Sequence, residues 1–302
     1  MTSAEPARHG AAPTLELREA SVRSAGTVSA VLSLRSHSQR IGLVGDVEPW
    51  LGVLTQRTLI ASGQAHIFGS DLETAITKGV LGFAACDPPL PDSFNVTQYL
   101  QHAARLSHGS ASRAVLDAKQ ALDRYGLAGL GSLESSRLVP YQRRALGIAL
   151  ATLTSPPVVW LEAPLRGLDA PSAAYVARLC AEAAQHCRVI ISAARPSSPS
   201  PERALLDACD ELFVLENGVL VAQGSPAQVF APNGRYLLTV KGENRAAFSS
   251  ALNEAGCRVT ARDPIGNYLI ELPTNGSSDL LLDTALDHGL IVIELEPIFG
   301  AG

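Results

Sequence analysis

The stretch VVWLEAPLRGLD, Val158 to Asp169, decides how this chain is read. A short apolar run enters Glu162, a proline and a Gly-Leu-Asp turn. Such runs, ended by turn residues, are buried strands of an α/β sheet. The strand ends on one acid, Glu162, and the position after it holds Ala163.

Working outward, RIGLVG is a second apolar segment, ending at Gly45 before a helix-like WLGVLTQRTLIA. QAHIFGSD and VLGFAACD read as strands, and two helical segments run from Thr97 to Leu127. Leu146, Ala149, Leu150 and Leu153 recur at the spacing of one helix face and place a helix over 141–154. A long Ala-rich helix over 170–185, the strand RVIISAA and the hairpin ELFVLENGVLVAQG, turning at Asn217-Gly218, complete an α/β domain over 14–234. Residues 1–13 read as a flexible N-terminus. Residues 235–302 read as a separate βαββαβ unit, the ferredoxin-like arrangement, with Tyr236, Leu238 and Val240 inward on its first strand. Ala247, Phe248, Ala251, Leu252 and Ala255 form the stripe of its first helix, and its middle strands turn about Pro-Ile-Gly.

Bulk properties exclude several classes. The chain has 302 residues, 24 basic against 29 acidic for a net charge of -5, and no basic run of the kind that tracks a phosphate backbone, so nucleic acid is not expected as a partner. Five cysteines without a CxxC pair give neither a disulfide framework nor a zinc site. The seven histidines form no pair at metal-ligand spacing. Without an apolar run near the ~20 residues that span a bilayer, no direct membrane insertion is expected.

In order along the chain, these elements resemble the ATP-binding subunits of ABC transporters over about residues 14–230. The likeness is most literal in LENGVLVAQGSPAQVF, and the last unit is similar to the C-terminal extension of some exporter ATPases. The resemblance implies an ABC-type P-loop ATPase fold with a helical insert. It also implies sites that this sequence changes one after another. A phosphate loop is written GxxxxGK[ST], its glycines admitting phosphate to backbone N–H groups and its lysine neutralising charge. Here Gly45 opens the motif, Trp50 stands at the second glycine, Leu51 at the lysine and Gly52 at the hydroxyl residue. Pro49 removes a donor, Trp50 adds bulk, and Asp46 and Glu48 set carboxylates against phosphate, so the stretch reads as a stable turn capped by Asp46 and packed by Trp50. One lost charge-assisted bond costs about 1.5–3 kcal/mol.

The signature segment, which meets the partner's nucleotide in the family, becomes Leu138, Val139, Pro140, Tyr141 and Gln142. Val139 lacks a hydroxyl, Pro140 lacks an N–H, and the Tyr141 ring is expected to project where a phosphate would lie. Glu162 replaces the metal-associated Asp and Ala163 the glutamate that polarises water; Ala194 replaces the histidine of the next strand and Cys86 the glutamine that senses the γ-phosphate. No aromatic platform for adenine stands around residues 22–26, and Arg195 reads as a surface arginine. Pro164, Gly167, Leu168 and Asp169 keep the turn that lies across the dimer interface in the family.

The resulting expectation is a non-catalytic pseudo-ATPase, not an enzyme, that couples and supports a transporter or machine. Its expected partners are a membrane permease and an intact ATPase paralogue, with no cofactor of its own and with ATP and magnesium only on that partner subunit. It is expected to be cytoplasmic, peripheral at the inner face of the membrane. The alternatives are a stand-alone protein-binding scaffold or a residual nucleotide-binding ATPase using Glu162 and Arg195.

Overall fold

The computed structural model describes residues 12–24, 27–55, 57–196, 200–230, 234–261, 266–273 and 276–297. Most of the expected N-terminal segment and of the Pro-Ile-Gly turn lies outside them, as do two residues of the 22–26 stretch. The described chain divides into two compact units, residues 1–226 and 227–302.

The first unit opens with β1 (Leu15–Ser24), β2 (Thr27–Val28), β3 (Leu32–Ser36) and β4 (Arg40–Gly45), followed by α1 (Glu48–Leu54), β5 (Leu59–Ile67) and β6 (Ser70–Asp71). Then come α2 (Leu72–Thr77), β7 (Leu81–Ala84), α3 (Val96–His108), α4 (Ala111–Arg124) and α5 (Pro140–Thr152). β8 (Val158–Glu162), α6 (Ala170–His186), β9 (Arg188–Ala193), α7 (Pro201–Asp207), β10 (Glu211–Glu216) and β11 (Val219–Gly224) follow, and α8 (Pro226–Val229) spans the boundary between the units. β1, β2, β3, β5 and β6 form an antiparallel sheet. The other sheet has the order β11-β10-β4-β9-β8-β7, parallel except for the edge strand β11.

The parallel strands are buried nearly end to end, as the apolar runs RIGLV, VVWL, VIISA and LFVL require of a sheet covered on both faces. Between the two sheets lies a core of Leu15, Leu34, Leu43, Trp50, Ile67 and Trp160, among others. α5 approaches the sheet closely at Gly82, where an added Cβ would stand 1.9 Å from the Ala151 carbonyl oxygen. The hairpin turns at Asn217 and Gly218, both with positive φ, as a two-residue turn demands.

One expected helix is shorter than the sequence suggests. α1 ends at Leu54, and residues 59–61 of WLGVLTQRTLIA belong to β5. The Thr55 hydroxyl donates back to the Leu51 and Gly52 carbonyls, while Arg57 and Thr58 N–H close onto the Gly52 carbonyl and turn the chain out of the helix.

The second unit contains β12 (Arg235–Lys241), α9 (Arg245–Glu254), β13 (Arg258–Ala261), β14 (Asn267–Glu271), α10 (Asp279–Asp287) and β15 (Ile291–Pro297). Its antiparallel sheet has the order β13-β14-β12-β15. Tyr236, Leu238 and Val240 face a core with Phe248, Leu252, Ile270 and Leu281. The α9 stripe is narrower than expected: Phe248 and Leu252 are buried, whereas Ala247 and Ala255 are exposed. No helix among the described residues is long and apolar enough to cross a membrane.

Candidate functional site

Gly45, Ala194, Glu162, Ala163 and Cys86 all fall at or just beyond the carboxyl ends of β4, β9, β8 and β7, four adjacent parallel strands. In open α/β sheets that edge is where ligands bind. The positions singled out in the sequence thus share one edge of the sheet.

The largest difference is at the Gly45 loop. The chain leaves β4 at Gly45, with φ of 96°, and is already helical at Glu48. The Val47 N–H donates to the Gly45 carbonyl, and both Trp50 and Leu51 N–H donate to the Val47 carbonyl. Asp46 N–H donates to the Leu215 carbonyl, and Pro49 has no N–H. Among the described residues, the Glu48 N–H makes no such backbone bond. The loop has the form of a turn capped by Asp46 and packed by Trp50. Trp50 does not crowd phosphate space: its side chain, 6% exposed, lies in the core beside Leu43 and Trp160. The Asp46 carboxylate faces the β10–β11 hairpin, where it accepts from Asn217 N–H at 2.5 Å. Leu51 is buried in the same core, and Gly52 is a packing glycine whose Cβ would meet Thr58 Cγ2 at 2.6 Å.

The signature segment starts α5. Val139 takes the N-cap position and Pro140 the first helical turn, where a missing N–H costs nothing. Val139 offers no side-chain acceptor, so only half of a capping box is made: the Gln142 Oε1 accepts from Val139 N–H at 3.1 Å. The Tyr141 ring packs edge-on against Tyr175 of α6, with centroids 5.6 Å apart at 81°, and is engaged within its own chain. The Tyr175 hydroxyl donates to the Tyr125 carbonyl, and burial raises the pKa of this phenol.

Glu162 accepts from the backbone N–H of Cys86 at 3.1 Å, so the two expected positions do meet. Among the described residues no group of three or more His, Cys, Asp or Glu is placed to hold a metal. Ala163 and Ala194 line one small cavity of about 200 Å³ together with Leu165, Leu205, Arg166 and Arg195. The Arg195 guanidinium forms an ion pair with Glu216. Gly167 and Asp169 are exposed and Leu168 half-buried; the Asp169 carboxylate caps α6 by accepting from Ser172 N–H. The Ser172 hydroxyl and N–H hold that carboxyl below its ordinary pKa, so the cap is intact above the ordinary value and is lost as pH falls through the lowered one.

Ala163 has φ of 37°, a left-handed conformation that costs an L-residue about 1–2 kcal/mol. Glycine relieves this at the expense of a more flexible unfolded chain. Ala163→Gly is therefore expected to raise the melting temperature of the first unit by about 1–4 °C, read by calorimetry; a lowered melting temperature would contradict the strained geometry.

Arg144 was not expected. It is 9% exposed on the buried face of α5, one turn before Ile148, with Nη2 2.9 Å from Cys86 Sγ and 3.4 Å from the Arg166 carbonyl. Its spacing from the apolar stripe was the available signal.

No protein-family profile matches the chain. Over 136 residues it is 31% identical to the methionine import ATP-binding protein MetN 1 of Pseudomonas fluorescens, covering 45% of this chain and 38% of that protein. Over 189 residues it is 24% identical to the ATP-binding cassette sub-family G member 5 of Rattus norvegicus, covering 58% of this chain and 27% of that one. The chain thus spans well under half the length of these curated relatives. Among solved structures, cbiO1 from Clostridium perfringens, part of the ABC transporter complex cbiONQ, superposes with a TM-score of 0.62 at 20% identity, covering 81% of this chain and 98% of that one. An ATP-binding subunit of an ABC transporter superposes with a TM-score of 0.59 at 16% identity, covering 72% and 91%. One expectation is overturned. The relatives are ATP-binding proteins of ABC type, an enzyme family, and nothing in the comparisons shows a loss of activity, so the reading of the chain as no enzyme is withdrawn. The fold is that of the ABC ATPases, and the homologues and structural neighbours together support the family of ABC transporter ATP-binding subunits.

Proposed function

We propose that this chain is an ATP-binding-cassette subunit of a transporter or related machine, in a coupling and structural role beside a membrane permease and an intact ATPase paralogue that holds ATP and magnesium. The observation that supports this division of labour is the Gly45 loop. Its N–H groups at Asp46, Val47, Trp50 and Leu51 are bonded within the chain, Pro49 has none, and the position of the phosphate lysine is a core leucine. On this reading α3 and α4 are the helical insert that receives the permease, Gly167, Leu168 and Asp169 face the second cassette, and the C-terminal unit is a ferredoxin-like domain. The subunit then works at the inner face of the membrane through its permease.

Two measurements test the proposal. Calorimetry of the isolated chain with magnesium-ATP is expected to give a dissociation constant of about 1 mM or weaker, since two missing charge-assisted bonds are worth about 3–6 kcal/mol and each 1.4 kcal/mol is tenfold. Low-micromolar binding would refute the placement of nucleotide on the partner. Purification from native membranes is expected to bring down a permease and a second cassette; their absence would refute the coupling role.

A further inference from the structure

β5 is flanked by β1 along its length on one side, but on the other β6 pairs only with His66 and Ile67. From Leu59 to Ala65 its outer edge has no neighbouring strand among the described residues. A free strand edge presents a row of backbone donors and acceptors on which another extended chain can add. Beside this edge runs a groove of about 720 Å³, walled by Val53 of α1 and by Leu72, Glu73 and Ile76 of α2. Residues of both parities of β5 line it, from Leu59 and Ile60 through Gly63 and Gln64 to His66, so the groove follows the strand edge.

Its chemistry is mixed in a way that specifies an occupant. Leu59 is 72% exposed, a large apolar side chain left in water, and Ile60, Val53 and Ile76 are half-buried around it. At the other end stand two exposed carboxylates, Asp71 and Glu73. The Thr74 side chain and N–H hold the Asp71 carboxyl below its ordinary pKa, so it is charged at neutral pH. Ser70 and Asp71 already show how the edge is extended: β6 is a two-residue strand that a longer one would continue.

We infer that this edge and groove take an extended peptide segment of a partner protein, added to β5 as a further strand, with apolar side chains over Leu59 and Ile60 and a lysine or arginine at Asp71 and Glu73. The backbone of the peptide supplies the affinity, and the apolar and acidic ends set its direction. This site is separate from the carboxyl edge of the parallel sheet, and the inference stands or falls independently of the proposed transporter role.

The probe is a terminally blocked heptapeptide of alternating threonine and valine with a lysine at one end, added to the full chain. Hydrogen exchange is expected to slow roughly tenfold at amides of Leu59 to Ala65 under saturating peptide. N-methylating alternate residues on one face of the peptide is expected to abolish the effect, and on the opposite face to leave it. Replacing the peptide lysine by glutamate is expected to weaken binding about two- to fivefold, as for an exposed ion pair, and Glu73→Lys to restore it. Three results would overturn the inference: no protection at millimolar peptide, equal binding of the two N-methylated peptides, or protection that grows with protein concentration without peptide, which would make a second copy the occupant.

Discussion

Leu51→Lys is expected to lower the melting temperature of the first unit by about 6–12 °C and to confer no nucleotide binding. Judged from the motif alone, lysine at this position is a repair. In the structure Leu51 is 8% exposed and packs with Trp50 and Leu54 into the core between the two sheets. A lysine there loses the transfer energy of the leucine, about 1.5–3 kcal/mol, and must bury an ammonium without a partner or bend its stem to reach water. A net cost near 3 kcal/mol is about 6–12 °C for a unit of this size. Leu51→Met keeps the volume and is expected to cost less than about 1.5 kcal/mol. Calorimetric melting of the three proteins checks this. A lysine variant that melts within 2 °C of the wild type and gains micromolar magnesium-ATP binding would mean that Leu51 faces a phosphate loop in solution.

That contrast marks where the sequence is legible. The parallel strands announce themselves because a strand buried on both faces must be largely apolar between its ends, and 158–161, 189–193 and 212–215 are, Ser192 apart. The hairpin turn is equally direct, since Asn217-Gly218 is the pair that accepts two positive φ angles. The strand ends then place Gly45, Cys86, Glu162, Ala163 and Ala194 on one edge. The turn capped by Asp46 and packed by Trp50 is legible too, whereas a motif count hides where Leu51 goes once the loop is no longer held open. Trp50 and Leu51 are apolar, and the drive to bury them winds residues 48–54 into α1 and turns both into the core. A motif counted residue by residue assumes the loop it was written for. α2 escaped notice because six residues are too few to show a period, and Arg144 because a charged residue within an apolar stripe reads as an interruption.

Gly45→Ala is the sharper test of how this loop is built, and it is expected to act on stability. Gly45 has φ of 96°, where an L-residue pays about 1–2 kcal/mol. An added Cβ would also stand 2.1 Å from the Leu215 carbonyl oxygen, a backbone atom of β10 held between β4 and β11. Forcing β10 away adds about 1–3 kcal/mol, for a total near 3 kcal/mol and a fall of about 6–12 °C in melting temperature. Gly79 supplies the control, since its φ of 67° is also positive but nothing lies within 4 Å of its missing Cβ. Gly79→Ala is therefore expected to cost only the conformational part, about 1 kcal/mol. The same Leu215 oxygen accepts from Asp46 N–H, and the Asp46 carboxylate accepts from Asn217 N–H, so moving β10 should also open that clasp and speed hydrogen exchange at Asn217. Equal losses for the two alanine variants, with no change at Asn217, would show that the close approach is absent. In a phosphate loop the first glycine lets an anion reach the backbone. Here it lets the β10 carbonyl do so, and that is why replacing it should register in melting and exchange, not in affinity for nucleotide.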